Sequence, residues 1–388
     1  MTVLMGIGTS SAVGVYLAGQ EAAQQMLTHL GGRPQLTLVF SSIRFADPKL
    51  LAGIRSVTEG APLIGCTDAG GISTWGPVRQ AVVVIGLRGA HASFVTGVAH
   101  GISKDPDAAG RRLAQDLKAA EPSVIKAALI FPDGLARNGS ALLRGVQKGL
   151  GAHVPIVGGS AGDDFYFQRT FQYFDEDILT DSVPGALFCG EMAVGVGVRH
   201  GWVPLGRPRQ VTKSEGEVIR ELDGKPAVTI YETYLGTTRK ALARKPLAQL
   251  AMSYPLGMTS DRHSEGLLRS AIRMGERGSL VCSGEFPEGS WVRLMIAGNE
   301  SILAAASEAS RQAAEAVGHA RFKSALVFSG GGRQKMLGPE CQGEIDIIRD
   351  SLGGVGVRLG GFYGYGEQAP INGSNTFHNE SVVVMALG

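Results

Sequence analysis

The chain has 388 residues, 44% of them hydrophobic, and its 37 Lys and Arg residues against 35 Asp and Glu residues give a formal net charge of +2. This balance, without a concentrated basic cluster, argues against a nucleic-acid-binding protein. The apolar runs are too short to span a bilayer, and the first residues lack the basic region of a signal peptide. We therefore expect a cytoplasmic protein that contacts neither nucleic acid nor a membrane.

Taken in chain order, the predicted elements repeat one series three times, over residues of about 36–89, 125–200 and 324–388. Each series has a buried apolar strand, a turn of glycine or small residues, a helix, a second strand that ends in glycine, and a further strand. The second strands end in similar stretches: Gly65-Cys66-Thr67, Gly158-Gly159-Ser160 and Gly360-Gly361-Phe362. Parallel strands need a crossover helix between them, so each series predicts a mixed sheet covered by helices.

Further elements are predicted around the three series. A helix at residues 18–30 precedes the first, and an edge strand at 92–98 and an amphipathic helix at 105–120 follow it. Asp223-Gly224 predicts a hairpin turn between short strands. Residues 240–261 contain prolines and show no regular pattern, so we expect irregular structure there. Two short strands, at residues 279–282 and 291–296, and a helix at residues 302–317 are predicted next.

The predicted fold is therefore α/β, with mixed sheets and crossover helices, built from three related strand-helix-strand-strand units in two domains. The first domain spans residues 1–205 and contains two units. The second spans residues 206–388 and contains inserted hairpins and helices before the third unit. Ligands of open α/β sheets bind at the carboxyl ends of strands, so the glycine turns are where we expect a site.

Cysteine and histidine patterns exclude several kinds of site. The four cysteines, which are scattered without a C-x-x-C pair, are Cys66, Cys189, Cys282 and Cys341. We expect all four to be reduced thiols. Cys66 is either a reactive thiol or a small buried residue. Because the sequence has neither an H-x-x-x-H spacing nor a P-loop, it predicts neither a metal site nor ATP hydrolysis.

The sequence resembles the FIST family, sensory proteins of bacterial signal transduction with a FIST N-terminal and a FIST C-terminal domain, over almost its whole length. The resemblance is carried, in order, by Gly65-Cys66-Thr67 with Ala69-Gly70, Gly158-Gly159-Ser160-Ala161-Gly162-Asp163, Arg199-His200-Gly201-Trp202, Leu222-Asp223-Gly224-Lys225-Pro226-Ala227, Tyr231, Tyr234-Leu235-Gly236, Phe328-Ser329, Gly332-Arg333, Gly361-Phe362-Tyr363-Gly364-Tyr365-Gly366-Glu367 and His378-Asn379. One departure is that family members often look like Phe-Ser-Cys-x-Gly-Arg where this chain has Gly330 after Phe328-Ser329.

The resemblance implies a cytoplasmic, non-enzymatic input module that binds a small ligand. The signal would pass to a separate histidine kinase or to a diguanylate cyclase or phosphodiesterase of cyclic-di-GMP signalling, because the 388 residues leave no room for a fused effector. A homodimer is compatible with this role. A subset of stand-alone members looks like haem-binding nitric-oxide sensors, so haem b and a diatomic gas ligand are the alternative, with His200 or His378 as the iron ligand.

Several side chains are candidate ligand contacts, each with a structural alternative. Arg199, His200 and Trp202 share one glycine-flanked loop and could hold an anionic ligand, or His200 could cap a strand end. Arg333 follows three glycines, where a guanidinium and free backbone N–H groups suit an anion, or it could be solvated.

Two further candidates lie in the third unit. Glu367, which follows Tyr363 and Tyr365, could bind a ligand amine or form a salt bridge, and His378 could be a turn residue bonded to neighbouring backbone.

Ser160 carries a third functional hypothesis. Gly158-Gly159-Ser160-Ala161-Gly162 matches the G-x-S-x-G nucleophile elbow of serine hydrolases and follows a predicted strand. The other two repeats argue against catalysis. The residue equivalent to Ser160 is Thr67 in the first repeat, and we align Phe362 with Ser160 in the third. A repeat that varies the nucleophile is typical of a structural turn, so we expect no catalytic residue and count Ser160 as a ligand contact.

Overall fold

The computed structural model describes residues 3–120, 124–136, 138–242, 247–259, 266–318 and 321–388. Within these ranges the chain forms three units of the same design and one inserted block. The first unit contains β1 (Leu4–Ser10), α1 (Val15–Leu30), β2 (Leu36–Ser41), α2 (Pro48–Thr58), β3 (Leu63–Thr67), the hairpin β4 (Gly71–Ser73) and β5 (Gly76–Val78), and β6 (Val82–Arg88). Its β2 is parallel to β3 and antiparallel to β6, which pairs with β1.

The second unit repeats this design. It contains β7 (Ala92–His100), α3 (Pro106–Ala120), β8 (Ile125–Ile130), α4 (Gly139–Leu150), β9 (Ile156–Gly159), the hairpin β10 (Gln172–Phe174) and β11 (Asp177–Leu179), and β12 (Ser182–Gly190). Here β8 is parallel to β9 and antiparallel to β12, which pairs with β7.

The third unit begins with β13 (Val194–Arg199) and is then interrupted by the inserted block. The block contains β14 (Val203–Glu215), β15 (Val218–Leu222), β16 (Lys225–Pro226), α5 (Thr229–Leu235), α6 (Arg239–Leu242), α7 (Leu247–Ser253), β17 (Leu256–Thr259), β18 (Leu267–Arg269), β19 (Ala271–Met274), β20 (Leu280–Cys282) and β21 (Trp291–Ile296). Its sheet has the order β18-β17-β21-β14-β15-β20-β19, with β16 on β15.

The third unit then resumes and closes the chain. It continues with α8 (Asn299–Val317), β22 (Ser324–Gly330), α9 (Gly331–Leu337), α10 (Cys341–Ser351), β23 (Arg358–Gly364), the hairpin β24 (Glu367–Ile371) and β25 (Ser374–His378), and β26 (Val382–Leu387). As in the other units, β22 is parallel to β23 and antiparallel to β26, which pairs with β13.

The units exchange their hairpins in a cycle. The hairpin β10–β11 of the second unit pairs with β3 of the first, β24–β25 of the third pairs with β9 of the second, and β4–β5 of the first pairs with β23 of the third. The three resulting sheets therefore have equivalent strand orders: β1-β6-β2-β3-β10-β11, β7-β12-β8-β9-β24-β25 and β13-β26-β22-β23-β4-β5. Each unit needs a second one to complete its sheet.

The inner faces of the three sheets meet in one hydrophobic core. Phe40, Phe131 and Phe328 occupy equivalent places at the ends of β2, β8 and β22, and their ring centroids lie 5.1, 5.7 and 6.4 Å apart in edge-to-face contacts. The outer face of each sheet is covered by the helices of its own unit. The fold is thus an approximate threefold arrangement of sheets around these phenylalanines.

One glycine in each unit explains the repeated motif. Gly65, Gly158 and Gly361 lie on the second parallel strand, and an added Cβ would come within 1.9, 2.0 and 1.8 Å of the carbonyl oxygen of the neighbouring strand. A side chain at these positions would push the paired parallel strands apart.

The structure confirms the mixed α/β fold and refines the prediction of its parts. Each unit also contains an earlier strand and helix, so the third sheet begins at β13. In the second series, the single further strand that the sequence predicts is two strands, because the turn at Gly190 separates β12 from β13, which lie in different sheets. The domain boundary predicted between residues 205 and 206 falls inside β14.

Two predictions for the inserted block have different outcomes. The hairpin turn at Asp223-Gly224 is confirmed, with both residues at positive φ between β15 and β16. The expectation of irregular structure over residues 240–261 is wrong where the chain is described, because its apolar residues form α7 and β17, which pack into the core of the block. Residues 243–246, 260 and 261 lie outside the described ranges.

We predict that Gly361→Ala destabilises the protein by about 3 kcal/mol or more, because its methyl group would overlap the Val327 carbonyl oxygen. Urea denaturation would measure the change. Gly343→Ala is the matched control: this glycine is inside α10 with open space around it, so alanine should stabilise the helix by roughly 0.5–1 kcal/mol. Equal effects of the two substitutions would contradict the steric account.

Candidate functional site

A cavity lies where the carboxyl ends of the parallel strands of the second and third units face each other. Its volume is about 140 Å³. The two units contribute Pro132, Asp133 and Gly134 after β8, Ser160 after β9, Gly330 at the end of β22, Gly364 at the end of β23 and Tyr365 after it. The inserted block closes it with Met252, Ser270, Ile272 and Ser283. We call this space the strand-end cavity, and strand ends of this kind are where α/β proteins bind ligands.

Two buried carboxyl groups, those of Glu367 and Glu380, line the cavity. Glu367 is 1% exposed and Glu380 is 5% exposed. Glu367 Oε2 accepts a hydrogen bond from the Ser381 N–H at 2.9 Å, and Glu380 Oε1 accepts one from the Ser270 hydroxyl of the inserted block at 3.0 Å. Among the described residues, Glu367 Oε1 has no hydrogen-bond partner, and Glu380 Oε2 has none of good geometry, although the Gly332 backbone lies near the Glu380 carboxyl group.

Burial governs the protonation of this pair. It raises the pKa of Glu367 well above its usual value, and the neighbouring charge of Glu380 raises it further. Burial also raises the pKa of Glu380 to about 7, against the opposing effects of the Ser270 hydroxyl and the Gly332 backbone. The pair therefore holds a proton at neutral pH.

The glycine turn after β22 makes room for both carboxyl groups. An added Cβ at Gly332 would lie 2.0 Å from Glu380 Oε2, and one at Gly330 would lie 3.1 Å from Glu367 Oε1. Gly330 itself lines the cavity. Glu380 itself has a φ of 56°, a left-handed conformation that is uncommon for glutamate and that often marks a functional position.

Arg333, expected to bind an anion, is instead fully buried in an ion pair. Its Nε and Nη2 donate to Glu344 Oε1 at 2.9 and 2.6 Å, and its Nη1 donates to the His200 carbonyl oxygen at 2.5 Å. The Tyr363 hydroxyl donates to Glu344 Oε2 at 3.0 Å, so this candidate belongs to the same network. Neither side chain lines the strand-end cavity, and their role as ligand contacts stays a prediction.

The loop with three candidate side chains is also mainly structural. His200 Nδ1 accepts a hydrogen bond from the Trp202 N–H at 3.0 Å, which is the capping role considered as the alternative. Trp202 packs in a small hydrophobic cluster with Ile302 and Leu337. Arg199 donates to the Val198 carbonyl oxygen at 3.0 Å and pairs with Glu308 at 3.5 Å. These residues lie outside the strand-end cavity.

The two candidate haem ligands do meet, in a separate pocket of about 200 Å³ that Arg199 also lines. His378 is bonded through Nε2 to the Ala369 carbonyl oxygen at 3.2 Å, and burial lowers its pKa to about 3. Haem is much larger than a space of about 200 Å³, and His378 Nε2 is already bonded to backbone, so the residues present do not fit a haem site between His200 and His378.

Ser160 lines the strand-end cavity, but its surroundings do not resemble those of a catalytic serine. Its Oγ accepts a hydrogen bond from Gln368 Nε2 at 2.9 Å, and an amide cannot act as a general base. The strand register makes Thr67 and Tyr363 its counterparts, so the alignment with Phe362 was off by one residue. The hydrolase alternative gains no support, whereas the role as a ligand contact stays a proposal.

Other expectations concern cysteines, metal and membrane. None of the four cysteines forms a disulfide, and all four are buried. Burial raises the pKa of the Cys66 thiol well above its usual value, so this thiol is protonated.

In the ranges that the structure describes, no three or more His, Cys, Asp or Glu side chains are grouped to hold a metal ion. No helix among the described residues is long and apolar enough to cross a membrane.

The fold places the strand-end cavity between the second unit, the third unit and the inserted block. The FIST N domain matches residues 35–225 and the FIST C domain matches residues 227–370. The chain belongs to the FIST family, whose domains have a sensory, small-ligand-binding role in signalling.

Similar proteins add little about the ligand. An uncharacterized protein of Mycobacterium tuberculosis, Rv0628c, is 27% identical over 96% of this chain and 97% of its own length. An uncharacterized protein of Mycobacterium bovis, Mb0898c, is 24% identical over 96% of both chains. A structural match to PurL of Thermotoga maritima in complex with ATP spans 100% of this chain and 71% of the PurL chain, at 14% sequence identity. Its TM-score is 0.22, which is too low to support a conclusion.

Glu380 and Glu344 were not among the candidates. Glu344 had no local signal, because its partner Arg333 is 11 residues away in sequence. Glu380 directly follows His378-Asn379, so a search for acidic residues beside the family motifs would have found it.

We predict that Arg333→Ala costs about 3–5 kcal/mol in the free energy of unfolding, because it leaves the Glu344 carboxylate buried without its partner. The double variant Arg333→Met with Glu344→Leu should recover most of this loss. Arg311→Ala, which removes an exposed ion pair with Glu315, should change stability by about 1 kcal/mol or less. An Arg333→Ala protein as stable as the native one would contradict the assignment.

Glu380 should link stability to pH. Its folded-state pKa of about 7 lies above the usual 4.5, so the folded protein binds this proton more tightly than the unfolded chain does. The stabilisation is complete below about pH 4.5 and is lost as pH rises through about 7.

We therefore expect the native protein to lose stability relative to Glu380→Gln between pH 5 and 7, by at most about 1.4 kcal/mol per pH unit in urea denaturation. The opposite pH dependence expected from the lowered pKa of His378 is common to both proteins and cancels. A constant difference over this range would contradict the assignment.

Proposed function

We propose that this protein is a sensory protein that binds a small organic ligand in the strand-end cavity and acts by binding rather than by catalysis. The observation that carries the proposal is the cavity itself, which collects strand ends from two units, the inserted block above them and two buried carboxyl groups with unpaired oxygens. Unpaired buried polar atoms are costly, so a ligand that supplies hydrogen-bond donors would be stabilised there.

The inserted block is the element through which binding can change the shape of the protein. It contacts the cavity through polar groups: Ser270 donates to Glu380, Ser283 Oγ donates to Asn379 Oδ1 at 2.7 Å, and Arg269 Nη1 donates to the Phe377 carbonyl oxygen at 2.9 Å. A ligand that replaces or strengthens these bonds favours one position of the block over another. In this proposal, the exposed face of the block signals to a separate histidine kinase or cyclic-di-GMP enzyme.

Occupying the cavity with a side chain tests this function. Ala248 of α7 lines the cavity, so Ala248→Trp should fill it, whereas Ala52→Trp places the same side chain on the exposed face of α2. We expect compounds from a metabolite library to raise the melting temperature of the native protein and of Ala52→Trp but not of Ala248→Trp. Equal stabilisation of all three proteins by the same compounds would contradict the proposal.

A further inference from the structure

In the described part of the chain, the charged residues that line the strand-end cavity are all acidic: Asp133, Glu217, Glu367 and Glu380. Basic residues lie near the cavity but do not line it. Arg333 is held by Glu344, and Arg269 donates to the carbonyl oxygens of Leu268 and Phe377. Lys335 lies over the Phe165 ring, and its charge opposes the rise in the pKa of Glu380. Among the described lining residues, a ligand therefore contacts carboxyl groups and no basic side chain.

Asp133 is bonded through both of its carboxyl oxygens. Its Oδ1 accepts from the Leu135 N–H and the Thr170 hydroxyl at 2.9 and 2.7 Å, and its Oδ2 accepts from the Asp181 N–H at 3.0 Å. Glu217 Oε1 accepts from the Asn138 N–H at 2.5 Å. Among the described lining residues, the fully buried carboxyl oxygens without a hydrogen-bond partner belong to Glu367 and Glu380.

The rest of the wall is apolar and aromatic. Leu142, Ile272, Met252 and Phe377 line it together with Tyr365, whose ring stacks on Phe167 with centroids 4.7 Å apart. Hydrocarbon or an aromatic ring can pack against such a wall, and aromatic faces attract a cation. A ligand carboxylate, in contrast, would be repelled by the acids and would find no basic partner among the described lining residues.

Resting on the function proposed above, we infer that the strand-end cavity selects an organic cation, a primary ammonium or guanidinium group on a short apolar body, whose charge is bound by Glu367 and Glu380. Each carboxylate accepts hydrogen bonds through the oxygen that the protein leaves unpaired. The apolar body extends toward the inserted block. Neutral and anionic compounds of the same shape bind less tightly.

Binding of the cation displaces a proton. Without a ligand, burial and mutual repulsion keep the carboxyl pair protonated at neutral pH, and a cation between them favours the ionised forms. The other titratable groups around the pair are Asp133, Glu217, Arg333, Lys335 and Tyr365. Affinity for the cation therefore rises with pH between about 6 and 8.

The experiment compares three probes of one shape: 2-phenylethylammonium, 2-phenylethanol and phenylacetate. Each probe is titrated into the native protein at pH 7 by isothermal titration calorimetry, in buffers of different ionisation enthalpy. The titrations give the affinity for the probe, and the dependence of the binding enthalpy on the buffer gives the number of protons released. We expect binding of the cation with release of about one proton, and at least tenfold weaker binding of the alcohol and of phenylacetate. No binding of the cation, binding of it without proton release, or equal affinity for the alcohol would overturn the inference.

Variants of Glu367 and Glu380 test whether these two carboxyl groups bind the cation. Glu367→Gln and Glu380→Gln keep the side-chain shape and should each weaken binding of 2-phenylethylammonium at least tenfold, while Glu191→Gln, an exposed acid outside the cavity, should not. Should either glutamine variant fail to fold, proton release by the native protein still decides the question.

The two proposals can fail separately. A neutral or anionic compound that binds the native protein at least as tightly as the cation of the same shape, and that loses binding in Ala248→Trp, overturns the cation inference alone. Compounds that bind Ala248→Trp as they bind the native protein contradict the cavity as the ligand site.

Discussion

The exchange of hairpins among the three units is the constraint on which the rest of the structure depends. Because β24 leaves the third unit to pair with β9, the backbone of Glu367 lies beside Gly159 of the second unit. The Ser160 N–H, which follows β9, donates to the Gly366 carbonyl oxygen at 2.7 Å. A carboxyl group of one unit is thereby delivered to the strand end of another. The cavity is a consequence of this exchange, and the common core of Phe40, Phe131 and Phe328 keeps the strand ends facing each other.

The third unit departs from the symmetry, and its departures shape the site. It alone carries the inserted block within the described chain, and its first parallel strand ends in the glycines beside Glu367 and Glu380. Arg333, one residue beyond these glycines, ties α9 to the His200 and Ile302 carbonyl oxygens and to Glu344 on α10. This buried ion pair holds the turn that follows Gly330, the glycine that lines the cavity. In the proposed function, structural and ligand-binding roles are thus divided between neighbouring residues.

The repeated pattern in the sequence predicted the fold class well, because buried strands ending in glycine have a local signature. It could not predict the hairpin exchange: β4 and β5 have three residues each, and their partner β23 lies almost 300 residues away. The same limit applies to the site. Glu367 was predicted from its motif, but whether Arg333 faces a ligand or Glu344 depends on a contact between helices. Glu380 owes its position to a left-handed backbone conformation that a glutamate rarely adopts.

The measurement that tests the central claim most directly is hydrogen exchange of the native protein with and without 2-phenylethylammonium at saturation, followed by mass spectrometry. If the strand-end cavity is the ligand site, amides at residues 330–332, 364–368 and 378–381 and in the facing strands β18 to β20 should exchange more slowly with the ligand bound. Slower exchange confined to the pocket between His200 and His378, or to regions outside the second and third units, would contradict the account.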